Sequence, residues 1–334
     1  MKIYRPKRKR PKITVIGGGT GLPVLLKSLR NKNVDITAIV TVADDGGSSG
    51  LLRKMFNTVP PGDLRNVLIS LSDIPRQQRD IFQYRFKSDD KSLDGHSLGN
   101  LIILATSEMH GSIYQAVQLL AKMMHVNGNI YPASEEPLNL HARYKDGSYA
   151  TGESKIAHPD KIIDYVTVST TNKEDTSLKP GKKVISSIME SDMIVLGPGS
   201  LYTSILPSLM IPKVRDAMIE TEAEIIYISN IMTQMGETEG FTDAKHIEVL
   251  SQHLGANFVD TVLVNNAEVP KSHVAKISND EYLYQVVHDF KQLQKLVPSV
   301  ISNDFLNITE KGVYHNGDLV VEEILRAASY YNLD

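Results

Sequence analysis

The chain has 334 residues, room for one large α/β domain or two smaller ones, and 41% of them are hydrophobic, enough for a sizeable core. With 6% aromatics and no Trp, a broad carbohydrate-stacking surface is not expected; with no Cys, disulfides, thiolate zinc sites and a cysteine nucleophile are excluded. The formal net charge is −3, yet seven of the first twelve residues are Lys or Arg and none is acidic, so the body of the chain is acidic, which argues against nucleic acid as the main ligand. Residues 1–11 are expected to form a basic, flexible tail. No run approaches the roughly 18 apolar residues of a transmembrane helix, and the N-terminus lacks a signal-peptide core, so a cytoplasmic protein without membrane insertion is expected.

In chain order, ITVIG (13–17) reads as a buried strand, PVLLKSLRN as a helix and DITAIVTVA as a second strand. In PGDLRNVLISLSD, Leu64, Val67, Leu68 and Leu71 share one helix face. Leu98, Leu101, Ile102 and Ala105 do the same in GHSLGNLIILATSEM. From about 130 to 180 the texture changes: LNLHARYKDGSYATGESKI predicts a hairpin around Asp146-Gly147, followed by IIDYVTVSTTN. Strand–helix texture returns with MIVLGPGSLYTSILP, EIIYISNIMTQMGETEGFTDAKHIEVLSQHLG and TVLVNN. This alternation predicts an α/β fold: a mostly parallel sheet covered by helices on both faces, one domain over 12–334 with a small β-containing insertion at about 130–180. Ligands of such sheets bind beyond the carboxyl ends of the strands, where the strand order reverses.

The first strand end is Gly17-Gly18-Gly19-Thr20-Gly21. The P-loop pattern laid from Gly21 to Lys27-Ser28 puts Leu26 where its second glycine belongs, so it fails. The dinucleotide fingerprint from Gly17 accepts Gly19 but meets Leu22 in place of its last glycine; its acidic partner has a counterpart in Asp44. A more general reading survives. Four glycines in five positions exceed the needs of a tight turn, and they let backbone N–H groups and a helix N-terminus approach a phosphate.

Other strand ends carry polar groups. VADDGGSSG sets Asp44 beside Asp45; such a pair suits Mg²⁺ against substrate phosphates, a proton acceptor, or a ribose hydroxyl, where the bland alternative is a capped turn. PPGDLRN places Asp63 at an expected N-cap, with Asn66 and Arg65 in the first turn; a cation at a helix N-terminus implies a nearby anion. In GHSLGN, His96 is a candidate acid or base, while Gly99 and Asn100 imply a close approach of backbone or ligand. LGPGS (Gly197, Gly199, Ser200) is a second strand–glycine–helix junction, which suggests a diphosphate or a nucleotide plus a second phosphate. Asn230 ends IIYISN as a contact for base or sugar. His246 and His253, seven apart on an expected helix, read as surface residues.

Together GGGTG, VADDGGSSG, PPGDLRN, GHSLGN, LGPGSLYTSILP and TQMGETEGFT resemble the bacterial gluconeogenesis factor family of the YvcK type, a relative of 2-phospho-L-lactate transferase (CofD). The resemblance runs from about residue 12 to about 265. The family's QPGETDG loop departs here to Gln234-Met235-Gly236-Glu237-Thr238-Glu239-Gly240. The resemblance implies a three-layer Rossmann-like fold and a cytoplasmic protein required for growth and cell shape (morphogenesis) on gluconeogenic carbon sources, with a UDP-sugar such as UDP-N-acetylglucosamine as ligand. It also implies that Gly17, Gly18, Gly19, Gly21, Asp44, Asp45, Gly197, Gly199, Ser200 and Asn230 line the nucleotide cleft; Thr20, Asp63, Arg65, Asn66 and Asn100 join them as candidates.

Three functions follow. One is a nucleotide-sugar-binding regulatory protein, expected as a homo-oligomer, a dimer. The alternative is a phosphotransferase of the relative's type, with Asp44 and Asp45 as Mg²⁺ ligands and candidate catalytic groups. The third, an NAD-dependent oxidoreductase, is disfavoured by Leu22.

Overall fold

The computed structural model describes residues 10–90, 92–171, 177–271, 282–310 and 312–331; the basic stretch 1–9 lies outside them. Seven parallel strands form the main sheet: β1 (Lys12–Gly17), β2 (Asp35–Val40), β3 (Asn129–Pro132), and later β7 (Met193–Leu196), β8 (Glu224–Ile228), β10 (Thr261–Asn265) and β12 (Ser299–Asn303). Their spatial order is β12-β10-β8-β7-β1-β2-β3. The chain therefore begins in the middle, builds outward to β3, then returns to the other side of β1. Order reverses between β1 and β7, paired in register Ile13↔Met193 through Ile16↔Leu196.

Helices pack around this sheet. Between β2 and β3 the chain runs through α2 (Gly47–Phe56), α3 (Gly62–Leu71), α4 (Arg76–Gln83), α5 (Leu98–His110) and α6 (Ile113–Met123), after α1 (Gly21–Leu29) has joined β1 to β2. Coverage on both faces is what the strand composition demands. Every residue of β7, β8 and β10 is buried, so both alternating faces must be met by apolar partners.

The segment between β3 and β7 behaves differently. β4 (Leu138–Tyr144), β5 (Tyr149–Thr151) and β6 (Ile163–Thr170) form an antiparallel sheet in the order β5-β4-β6, with the expected hairpin at Asp146-Gly147. In β4 buried residues alternate with partly or fully exposed ones, the pattern of a sheet with one covered face. Two further pairs lie near the carboxyl end of the main sheet: β9 (Met232–Gln234) with β11 (Tyr282–Gln285), and the hairpin β13 (Leu306–Thr309) with β14 (Gly312–His315). One continuous set of buried apolar side chains runs from Ile13 to Ala328 and includes Leu138, Leu140 and Val166 of the antiparallel sheet.

Leu22 and Leu26, which break the two nucleotide-loop patterns, are both fully buried on α1. Each contributes about 1.5–3 kcal/mol of apolar burial, which a glycine there would forfeit. The motifs fail because this helix starts packing against the sheet at its first turn.

Candidate functional site

The two glycine junctions meet at the reversal point. Gly19 holds φ +66°, and its N–H donates to Asp63 Oδ2 at 2.8 Å. A Cβ on Gly18 would lie 2.3 Å from Thr41 Cγ2 and 2.5 Å from Asp63 Oδ2, so no side chain fits there. Gly21 opens α1, whose N-terminus carries no side-chain cap and no acidic residue in its first turn. A Cβ on Gly21 would come within 2.7 Å of the Pro198 carbonyl oxygen, and one on Gly199 within 3.2 Å of the Gly18 carbonyl. The loops after β1 and β7 thus lie backbone to backbone. Ser200 caps the next helical segment by accepting from Thr203 N–H at 3.2 Å, and its hydroxyl donates to Glu237. That segment, Leu201–Ile205, is a π-helical turn, a geometry that concentrates at functional sites.

Between the loops lies a cleft of about 230 Å³. Gly19, Thr20, Gly21, Gly199, Ser200 and Asn230, all expected from the sequence, line it. So do Glu153, Thr203, Ser204, Gln234, Tyr314 and His315, which were not expected. Gly17 and Gly197 sit at the strand ends behind the loops, where a Cβ on Gly17 would lie 3.9 Å from Gly197 Cα.

A second group of polar residues stands beside the cleft. Asp63 occupies the first turn of α3, but the N-cap is Pro61, and the carboxylate goes to Gly19 N–H. The expectation that Asp63 caps its own helix is corrected: it bridges two helix N-termini. Burial raises its pKa to about 6, aided by the nearby Asp44, while the Gly19 bond and Arg65 oppose the rise. Asp44 Oδ1 accepts from Gly46 N–H at 2.8 Å, and Asp45 Oδ1 accepts from Ser154 N–H of the insertion at 2.9 Å. Gly152 permits that contact, since a Cβ there would lie 2.4 Å from Asp45 Oδ2. Glu153 reaches in beside them, and burial together with Asp44, Asp63 and Asp45 raises its pKa well above the usual carboxylate range.

Arg65 donates to Ser97, to Asn100 Oδ1 at 3.0 Å and to Asn66 Oδ1 at 2.8 Å. Asn100 Nδ2 in turn donates to Ser48 Oγ at 3.3 Å, and Ser48 Oγ bonds the buried His96 Nδ1 at 2.8 Å. Gly99 makes room for this network, because a Cβ would press within 2.8 Å of Arg65 Cδ.

Comparison with known proteins fits this geometry. The model of the family 2-phospho-L-lactate transferase CofD matches residues 13–306, most of the chain. The chain belongs to the CofD family. Within it, a protein of Streptococcus pyogenes serotype M3 named "Putative gluconeogenesis factor" is 56% identical over 95% of this chain and 97% of its own length. A protein of Listeria innocua serovar 6a named "Gluconeogenesis factor" is 43% identical over 96% of each. A crystal structure of a Bacillus halodurans protein superimposes with a TM-score of 0.90 at 41% identity, covering 95% of this chain and all of that one.

Two features of this CofD-family chain were misread in, or missed by, the sequence reading. His246 and His253 are buried, not on the surface. Each donates from Nδ1 to the carbonyl one turn back, Thr242 at 2.8 Å and Val249 at 2.7 Å; His253 Nε2 also accepts from Val166 N–H, whereas His246 Nε2 is buried without a partner. Arg53, unremarked in the sequence, is 7% exposed and donates to the carbonyls of Ala43, Asp44 and Leu138 and to Asn139 Oδ1, tying the loop after β2 to the insertion. Among the described residues, no three acidic or histidine side chains are grouped so as to hold a metal ion by themselves. No helix among them is long and apolar enough to cross a membrane.

Proposed function

We propose that this protein is a cytoplasmic gluconeogenesis factor, required for growth and cell shape under gluconeogenic conditions, that binds a UDP-sugar such as UDP-N-acetylglucosamine as a regulatory ligand. The observation that carries the binding half is the meeting of two glycine junctions at the one reversal point of a parallel sheet. There the uncapped N-terminus of α1 faces the Ser200 turn across the cleft. Backbone N–H groups of Thr20 and Gly21 would take one phosphate and those around Gly199 and Ser200 the other. Asn230, Gln234, Tyr314 and His315 would then meet sugar or base. The gluconeogenesis-factor reading rests on the names of the relatives, and growth, cell shape and location on the resemblance of the motifs.

The test is calorimetric titration with UDP-N-acetylglucosamine, GDP and NAD, each with and without Mg²⁺. Binding of the UDP-sugar, without turnover, is the expected result. Tight GDP binding only in Mg²⁺, with no UDP-sugar binding, would overturn it.

One observation favours the second reading, phosphotransfer. Burial first, and then the neighbouring Asp44, Asp63 and Asp45, raise the pKa of Glu153, and a divalent cation among these carboxylates would offset their mutual repulsion. Mg²⁺ asks for only one or two carboxylates besides phosphate oxygens and water, and Asp44 and Asp45 would supply them, with charge neutralisation as its contribution.

A further inference from the structure

The cleft has a direction, because its walls follow the order of the strands they rise from: β8, β7, β1 and β2. Asn230 and Gln234 come from the segment after β8, Ser200 from the loop after β7, and Gly21 from the loop after β1. At the far end Glu153 enters from the insertion, beside the Asp44-Asp45 pair that follows β2. The two glycine loops therefore stand in the middle, and the two ends offer different chemistry.

Gln234 marks the β8 end. It is 8% exposed, it lines the cleft, and its Oε1 has no hydrogen-bond partner. A buried acceptor of this kind costs stability until a donor meets it, and a ring or amino N–H of a base is such a donor.

Glu153 marks the β2 end, and its backbone is fixed on both sides. Ser154 N–H donates to Asp45 Oδ1, and Gly236 leaves room for the strap at His158, whose N would lie 2.3 Å from a Cβ on that glycine. Between these two points Ile156 is fully buried and its carbonyl accepts from the Tyr144 hydroxyl at 2.9 Å. The segment 152–158 is thus a held strap that sets Glu153 in the cleft wall. The Glu153 side chain shares a hydrogen bond with Asp44, while Asp45 and Asp63 act on it through space. One proton serves the bonded pair, so the group as a whole stays negative. A nucleotide that ends in a free phosphate would bring up to two further negative charges against it. A diphosphate that continues into a sugar brings hydroxyl donors instead, and carboxylates accept from these.

We infer that Glu153 is the specificity residue of the cleft: resting on the UDP-sugar reading above, it accepts hydrogen bonds from the sugar end of the ligand and, with Asp44 and Asp45 behind it, turns away a nucleotide with a free terminal phosphate. The base lies at Gln234, the diphosphate on the two glycine loops and the sugar at Glu153. Selection comes from the repulsive element as much as from the attractive one.

The test is calorimetry with UDP-N-acetylglucosamine and UDP as probes, both in EDTA so that no cation masks the carboxylates. The full chain is used unsubstituted and as Glu153→Ala, Glu153→Gln and Gln234→Leu. The unsubstituted protein should bind the UDP-sugar about ten-fold or more tightly than UDP. Glu153→Ala should weaken the UDP-sugar about ten-fold and tighten UDP, so that the preference disappears. Glu153→Gln keeps the shape and an acceptor oxygen; it should tighten UDP and cost the UDP-sugar less than Glu153→Ala does. Gln234→Leu should weaken both ligands by the same factor, because the base is common to them. Equal binding of the two ligands by the unsubstituted protein, an equal change for both in the Glu153 variants, or an altered preference in Gln234→Leu would each overturn the inference and leave UDP-sugar binding in place. Binding of neither ligand by the unsubstituted protein would overturn the UDP-sugar reading, and this inference with it.

Discussion

The stability of this protein in mild acid should depend heavily on His253. Its Nδ1 donates to Val249 and its Nε2 accepts from Val166 N–H of β6 at 3.0 Å, while Tyr165 of the same strand stacks flat on the ring at 4.2 Å. A proton on Nε2 would turn that acceptor into a donor facing another donor. Burial lowers the pKa to about 4, against about 6.5 for a free histidine. Because the folded value is the lower one, the contribution to stability is whole above about pH 6.5 and is lost as pH falls toward 4. The full gap corresponds to about 3 kcal/mol, and about 2 kcal/mol of it is gone by about pH 5. Replacing the ring by His253→Leu lowers stability at neutral pH, through an unpaired Val166 N–H, but also removes this titration. Urea unfolding of both proteins at about pH 7.5 and about pH 5 should show the difference between them shrinking by about 2 kcal/mol. A difference that stays constant would mean that His253 is not held neutral by its contacts, and the reasoning would fail.

Asp63 titrates in the opposite sense. Its pKa is raised to about 6, so its penalty on the fold grows as pH rises from about 4 to above 6; Asp63→Asn should gain about 1–3 kcal/mol relative to the unsubstituted protein between those limits, read by the same unfolding series. Gly21→Ala should cost about 1–3 kcal/mol of stability by overpacking against Pro198, and it should abolish UDP-N-acetylglucosamine binding in calorimetry. Leu26→Gly, which restores the P-loop spelling, should yield no ATP binding. It should lose at least about 3 kcal/mol from the emptied core position and the helix glycine, measured as a fall in Tm.

Much of this was legible in the chain itself. The main strands could be read because they are buried on both faces and so are uninterruptedly apolar, as in EIIYI, and the phosphate loops because glycine is the only residue that fits where Gly18 meets Thr41 and Asp63. What stayed hidden was fixed by long-range contact. Glu153 reaches the site because Ser154 N–H bonds a carboxylate more than a hundred positions earlier, and Tyr314 and His315 arrive on a hairpin at the far end of the chain. Asp63 was misread for a related reason: capping is a local rule, and its partner Gly19 is 44 residues away. His246 and His253 look like surface residues in a periodicity plot, because spacing carries no information about a ring that bonds its own helix.

The pairing of β1 with β7 joins residues 180 positions apart, Ile13 with Met193. A chain emerging from the ribosome makes the glycine-rich loop first, yet that loop has no opposite wall until the antiparallel insertion and β7 have followed. The cleft is therefore a late product of folding that neither half of the sheet can build alone. A ligand spanning Gly19 and Gly199 would act as a clasp across this seam, resisting the parting of the two halves by an amount set by its concentration over its Kd. Separation of the halves under load or in denaturant should then be the step that ligand slows most.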